Sequence, residues 1–196
     1  DKVSIGSDAV AAAKEYMSAG KCPGSTSIEA IAQKYGNQAV VVSVDPKRMY
    51  VKDETTIDRP CVKLSDYGME NGPDGEEFVW WCCTAKGGRE LTDVDVVQLA
   101  TSVEKLGCGE LLVNCIDRDG QNNGYEIALL DQLKKCVTIP VIASSGAGKP
   151  QHFSDVVHKA KVDATLAAGI FHRREVAITE IKQHMTEAGI EIRSTA

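Results

Sequence analysis

Pro140-Val141-Ile142-Ala143-Ser144-Ser145-Gly146-Ala147-Gly148-Lys149-Pro150 is the stretch that decides how this chain folds. The apolar run 139–143 reads as a strand. It breaks into small residues with two glycines. Pro150 then suits the first turn of a helix, where a backbone N–H is not needed. Strand, small-residue loop, helix is the repeating unit of a parallel α/β protein. Four other runs end in the same way: Val3-Ser4-Ile5-Gly6-Ser7, Val42-Ser43-Val44-Asp45, Cys115-Ile116-Asp117-Arg118-Asp119-Gly120 and Leu166-Ala167-Ala168-Gly169. A helical pattern follows each, in two cases after a longer loop. In such folds chemistry collects at the carboxyl ends of the strands.

Working outward, residues 2–5 read as a short buried strand and residues 8–19 as an alanine-rich helix ending before Gly20. Ser25 or Ser27 can cap a second helix through Tyr35, stopped by Gly36. Residues 39–44 are apolar almost throughout, as suits a strand in a parallel sheet. The rhythm then breaks. Residues 46–77 hold three prolines, several glycines and many acidic residues, and read as a long excursion, in part mobile. Residues 78–84 look like a strand that pairs with 48–52 as a hairpin protruding from the barrel face, so the irregular region extends over 46–84. Thr92 or Asp93 can cap a helix carrying Val96, Val97, Ala100, Val103 and Leu106 at helical spacing. Strand 110–116, a helix to about Lys135, strand 139–143, the Pro150 helix, strand 163–168 and a helix from about Arg174 to Ala188 complete the pattern.

Composition sets limits. The 196 residues suffice for one domain with a substantial core. A formal charge of -6 argues against a general nucleic-acid binder. No apolar run is long enough to span a membrane and no signal-peptide pattern opens the chain. The seven cysteines form no CxxC pair. Cys82-Cys83, Cys115 and Cys136 lie in apolar surroundings, which favours buried free thiols in a reducing cytosol over disulfides, a metal site or a nucleophile. The histidines show no metal-ligand spacing, and no cofactor motif is present. His172 reads as structural or at most near a ligand, and Arg173-Arg174 as a solvated helix start. The opening at Asp1-Lys2-Val3, already entering a strand, reads as a cut through a larger protein.

The strand ends carry the candidate chemistry. Gly146-Ala147-Gly148 and Ala168-Gly169 let backbone N–H groups approach a phosphate at a helix N-terminus. Each alone reads rather as a tight turn that needs glycine; two in consecutive units favour phosphate. Ser4, Gly6 and Ser7 can form a second phosphate site, or Ser7 or Asp8 can simply cap a helix. With Asp119-Gly120 added, two sites imply a ligand phosphorylated at both ends. Asp45 is placed for proton transfer, partly desolvated beside Pro46, or for anchoring a loop. Asp117 and Arg118 pair with each other or with neighbouring loops. Asp1–Ser7 and Asp163–Gly169 align without a gap, an echo expected of a barrel built from two similar halves.

These motifs resemble a known family. Residues 1–7, Gln38–Arg48, Ile116–Gly120 with Gly124-Tyr125, Pro140–Lys149 and Ala167–His172 are similar, in order, to the cyclase part of imidazole glycerol phosphate synthase. The likeness is weakest over 49–77, where the expansion resembles the bifunctional fungal or plant form that carries glutaminase and cyclase on one polypeptide. The resemblance implies an α/β fold, a (βα)8 TIM barrel of the ribulose-phosphate-binding type, of which this chain supplies about the last five βα units. It implies an enzyme of histidine biosynthesis, a lyase coupled to a glutamine amidotransferase, that converts PRFAR and ammonia to imidazole glycerol phosphate and AICAR. Asp45 is then one of two acid/base aspartates, its partner lying upstream. Gly6, Ser7, Asp119 and Gly120 hold one phosphate. Gly146, Ala168 and Gly169 help hold the other, and Ser144 and Asn114 line the mouth between. Asp1, Lys2, Gln38 and Glu110 lie on the opposite face, where ammonia enters and the glutaminase docks. Gly6 stands where many members have Asn, Ser145 where many have Gly, and Gly169 where many have Ser.

Two other readings compete. One is the sister isomerase of the same pathway, against which the Phe171-His172 and Ile116–Asp119 wording counts. The other is a non-catalytic phosphate-binding fragment, since three strands and one carboxylate are missing. Such an open sheet is expected to fold well only with the missing amino-terminal segment. The excursion, with its length and glycines, is expected to act as a lid.

Overall fold

The structure is a computed structural model that describes residues 1–193. Its elements run β1 (Val3–Ile5), α1 (Ser7–Ala19), α2 (Ser27–Tyr35), β2 (Val40–Val44), β3 (Pro46–Val51), β4 (Val62–Lys63), β5 (Phe78–Ala85), β6 (Glu90–Asp95), α3 (Val96–Lys105), β7 (Glu110–Asn114), α4 (Ile127–Cys136), β8 (Val141–Ser144), α5 (Pro150–Ala160), β9 (Ala164–Thr165), α6 (Gly169–His172) and α7 (Ile178–Glu187). Strands β1, β2, β7, β8 and β9 form one parallel sheet in that order. Helices alternate with them, as the strand–loop–helix repeat requires. The described sheet is open, with β1 and β9 at its two edges.

The period-two alternation of side chains divides this sheet into two faces. Val40, Val42 and Val44, Leu111 and Val113, and Val141 and Ala143 are buried. They share the core with Leu99, Val103, Leu129, Leu133, Phe153 and Val156 of α3, α4 and α5. The register places the other residues in a second set. Ser4 lies opposite Val41, Val41 opposite Glu110, Ser43 opposite Leu112, Leu112 opposite Ile142, and Asn114 opposite Ser144. This second face is more polar and less buried. It runs from Lys2 and Glu110 at the amino ends to Asp45, Asn114 and Ser144 at the carboxyl ends.

The excursion is a built unit. β5 is the central strand of a four-stranded antiparallel sheet, pairing with β3, β4 and β6. Val79, Trp81 and Cys83 of β5 are buried together with Leu64. The unit is also tied to the helices. Tyr67 donates its hydroxyl to Asp131 of α4, and Gln132 Nε2 donates to Pro60 O at 3.2 Å. Arg59 reaches Gln98 Oε1 at 2.6 Å and Asp95 Oδ2 at 3.2 Å. The expected protruding hairpin is therefore a braced sheet. Its apolar alternation makes a core that must be covered, which a protruding ribbon cannot do.

Several local expectations are corrected. The N-cap of α2 is Thr26, not Ser25 or Ser27, because Glu29 closes a capping box with it. The cap of α3 is Asp95, with Gln98 as its reciprocal partner; Thr92 lies in β6 and bonds Cys83 O at 2.8 Å. The last helix starts at Ile178. Arg174, the expected start, has φ +57° and closes the short α6. Strand 2–5 is buried only at Ile5, since β1 is an edge strand and Val3 is 48% exposed. Cys136 is exposed, whereas Cys82, Cys83, Cys108 and Cys115 are buried free thiols. Among the described residues no helix is long and apolar enough to cross a membrane.

Candidate active site

Asp45 follows β2 directly and is half-buried. Its backbone carbonyl accepts from Thr84 Oγ1 at 2.6 Å and from Thr84 N at 3.2 Å, which fixes the residue against β5. Asn114 Nδ2 donates to Asp45 Oδ1 and to Ser43 Oγ, both at 3.1 Å. Among the described residues Oδ2 has no hydrogen-bond partner. Asp45, Asn114 and Ser144 border one cavity of about 510 Å³ together with Ile116, Asp119 and Ser145, and with Gly87 and Gly88 from the β5–β6 turn. That turn, just past the 46–84 region, is the part of the antiparallel sheet that reaches the cavity. It is anchored by Lys86 N donating to Ser7 Oγ at 2.8 Å. The expected lid, the excursion 46–77, does not line this cavity; its Tyr67 and Met69 line a separate one beside α4 and α5.

A second recess of about 130 Å³ adjoins the first, sharing Asp119, Ser144 and Ser145 with it. Gly120, Gly146, Ala168, Gly169 and Arg173 complete much of its wall. The loops around it are locked backbone to backbone. Gly124 N donates to Gly146 O at 2.8 Å. A Cβ at Gly146 would lie 2.2 Å from Gly124 O, and one at Gly148 2.3 Å from Asn122 O. Only glycine permits this approach. Ser145 is held at φ +74°, a conformation that costs an L-residue about 1–2 kcal/mol. Tyr125 stacks edge-on with Phe153 and donates to Leu166 O at 3.1 Å, so it fixes the start of the last small-residue loop.

The structure groups the candidates differently from the expectation. Asp119 and Gly120 stand with Gly146, Ala168 and Gly169. Gly6 and Ser7 line neither cavity; they lie at the β1 end of the strand row, where Ser7 serves the β5–β6 turn. On the amino-terminal face, Lys2 and Glu110 form an ion pair, and Asp1, Lys2 and Gln38 border a cavity of about 660 Å³ with Tyr35.

Sequence reasoning missed the support beneath the site. Glu126, 1% exposed, takes Arg118 Nε at 2.7 Å and the guanidinium of Arg48. Arg48 N donates to Asp117 Oδ2 at 2.8 Å, and Arg118 also reaches Asn123 Oδ1 at 3.1 Å. Burial opposes the charge on Arg48, but hydrogen bonding and the charge of Glu126 outweigh it and hold its pKa above the ordinary arginine value. Asp117 and Arg118 thus do not pair with each other. Each ties the loop after β7 to β3 or α4. Burial pushes Cys115 up to about 12 and Cys108 up to about 11, which keeps both thiols protonated at neutral pH.

A parallel sheet with alternating helices, small-residue loops at its carboxyl ends and a carboxylate between them defines an α/β protein whose candidate site lies at the strand ends. The sequence profile of a family described as "Histidine biosynthesis protein" matches residues 1–177. The chain belongs to that family, whose fold is the (βα)8 barrel. It is 50% identical over 193 residues to the chloroplastic imidazole glycerol phosphate synthase hisHF of Arabidopsis thaliana, covering 98% of this chain and 32% of the relative. It is 52% identical over 195 residues to imidazole glycerol phosphate synthase hisHF of Schizosaccharomyces pombe, covering 99% and 35%. With the imidazole glycerol phosphate synthase subunit HisF of Methanocaldococcus jannaschii it shares 39% identity over 168 residues, 85% of this chain and 58% of that subunit. The chain thus spans about a third of the plant and fungal relatives and somewhat over half of the archaeal one.

Proposed function

We propose that residues 1–196 are the carboxyl-terminal part of a cyclase barrel that makes imidazole glycerol phosphate and AICAR from PRFAR and glutamine-derived ammonia. The observation that carries this is Asp45: a half-buried carboxylate at a strand end, oriented by Asn114 through Oδ1, with Oδ2 unpaired among the described residues. An oxygen held this way can take a proton from the attacking ammonia and return it as the ring closes. The recess at Gly146 and Gly169 offers backbone donors for one phosphate; Gly6 and Ser7, at the far end of the strand row, are assigned to the other. Two anchors at opposite ends of a doubly phosphorylated substrate would hold its centre over Asp45, which supplies orientation. The complementary acid or base is assigned to a carboxylate outside this chain, on the remaining barrel strands.

Asp1, Lys2, Gln38 and Glu110 are assigned to the ammonia entry and to docking of a glutaminase on the same polypeptide. The plant and fungal relatives carry the fused name hisHF, and each relative named above is a synthase rather than the sister isomerase. No cofactor or metal enters the proposed chemistry. Four buried free thiols suit a reducing compartment, which we take to be the cytoplasm. The test is turnover of PRFAR with ammonium salt at full natural length, wild type against Asp45→Asn. The expected result is a loss of about 10²–10⁴-fold in rate with little change in substrate affinity. Unchanged turnover in the variant would remove Asp45 from the chemistry.

A further inference from the structure

The loop Gly146-Ala147-Gly148 is braced from behind by a histidine. A backbone N–H can only donate, and that of Gly148 points to Nδ1 of His152 at 3.0 Å. Nδ1 must therefore carry the lone pair, which places the proton of the neutral ring on Nε2. The residue that carries the ring sits in the first turn of α5. His152 N donates to Lys149 O at 3.0 Å, and the ring lies 3.7 Å from where a Cβ on Gly124 would sit. His152 borders a cavity of about 270 Å³ between α4, α5 and the excursion, whereas Gly146 and Ala147 border the small recess. The imidazole thus sits on the side of the loop away from the recess.

We infer that His152 is a positioning residue: its neutral ring holds the 146–148 loop in the shape that accepts a phosphate, and its protonation releases that loop. This rests on reading the recess as a phosphate site. A protonated ring has a donor at both nitrogens, so Nδ1–H would confront the Gly148 N–H. The cavity that the ring borders is lined by Arg118 and Asn123 from the loop after β7, Tyr67 and Met69 from the excursion, and Lys149, Gln151, Asp155 and Lys159 at the start of and along α5, three cations against one carboxylate. Burial first, then Lys149 and Arg118, hold the imidazole below its ordinary value, with Asp155 opposing. The folded protein therefore keeps the ring neutral at neutral pH, and acid below the usual imidazole range works against the lock. A histidine acting only as a nearby charge would do the reverse, since protonation would then tighten phosphate.

The test uses the protein at full natural length and inorganic phosphate as the probe. Binding is measured at pH 7.5 and pH 4.8 for wild type, His152→Asn and His152→Leu. An asparagine carbonyl can accept from Gly148 at either pH, and phosphate's own titration is common to all three. On acidification, wild type is expected to weaken about fivefold more than His152→Asn, the worth of one lost hydrogen bond. His152→Leu is expected to bind weakly at both pH values. Nitrogen NMR at pH 7.5 should find Nδ1 unprotonated. An identical pH dependence in wild type and His152→Asn, tighter wild-type binding in acid, or a proton on Nδ1 would each overturn the inference. No phosphate binding at pH 7.5 with Nδ1 unprotonated would overturn it through the recess reading, leaving the hydrogen bond itself in place.

Discussion

The loops after β7 and β8 and the excursion between β2 and α3 both adjoin the site, and they are held by different means. The two loops meet backbone to backbone, with glycines where any side chain would collide. The excursion is held by side chains: a buried Trp81, a Tyr67–Asp131 hydrogen bond and Arg59 on α3. Backbone packing fixes the course of the loops that border the recess. Side-chain packing leaves a surface free to change in sequence while its fold is kept. The lesson is that the glycines mark where two loops meet backbone to backbone beside the recess, and the excursion marks where side chains buttress the sheet. Glu126 joins the two regions, since Arg48 belongs to β3 and Arg118 to the loop after β7.

That junction offers the largest break. Glu126→Ala leaves two guanidinium groups beside a buried gap and should cost about 3–5 kcal/mol of stability. Denaturant unfolding would check it, with Glu126→Gln recovering part of the loss. A cost under about 1 kcal/mol would mean the two regions are held independently. Next comes Gly146→Ala, which drives a methyl toward Gly124 O and forces φ +98° on an L-residue. It should cost about 2–4 kcal/mol and weaken phosphate binding. The smallest change runs the other way. Ser145→Gly relieves the φ +74° strain and should add about 1 kcal/mol to the unfolding free energy. Destabilisation there would show that the serine side chain, not only the backbone, supports the loop.

The strand ends were legible because their signal is local: an apolar run, then small residues, then a helix. The strand end marked Asp45 for the same reason, whereas only the family resemblance placed Asn114 and Ser144 at the mouth beside it. Helix caps were legible in principle. Glu29 stands three residues after Thr26 and Gln98 three after Asp95, so both capping boxes are written in the sequence, although neighbouring Ser25, Ser27, Thr92 and Asp93 carry equally good capping side chains. β6 was hidden because its outer residues are polar and only Val94 and Asp95 are buried. The Arg48–Glu126–Arg118 cluster was not readable at all. Arg48 and Glu126 are 78 residues apart, and only the folded register of β3 against the loop after β7 brings them together. The lock of His152 on Gly148 spans four residues, yet it needs the ring's orientation, which spacing does not give.

Central to the proposed function is one arrangement: phosphate held by the glycine-walled recess while Asp45 addresses the substrate's centre. A structure of the full-length protein with a doubly phosphorylated substrate analogue bound tests it most directly. The account predicts one phosphate against the backbone of Gly146 and Gly169, the second on the Gly6–Ser7 side, and a reacting atom within about 3 Å of Asp45 Oδ2. A phosphate in the cavity between α4 and α5, or Asp45 out of reach of the ligand, would contradict it.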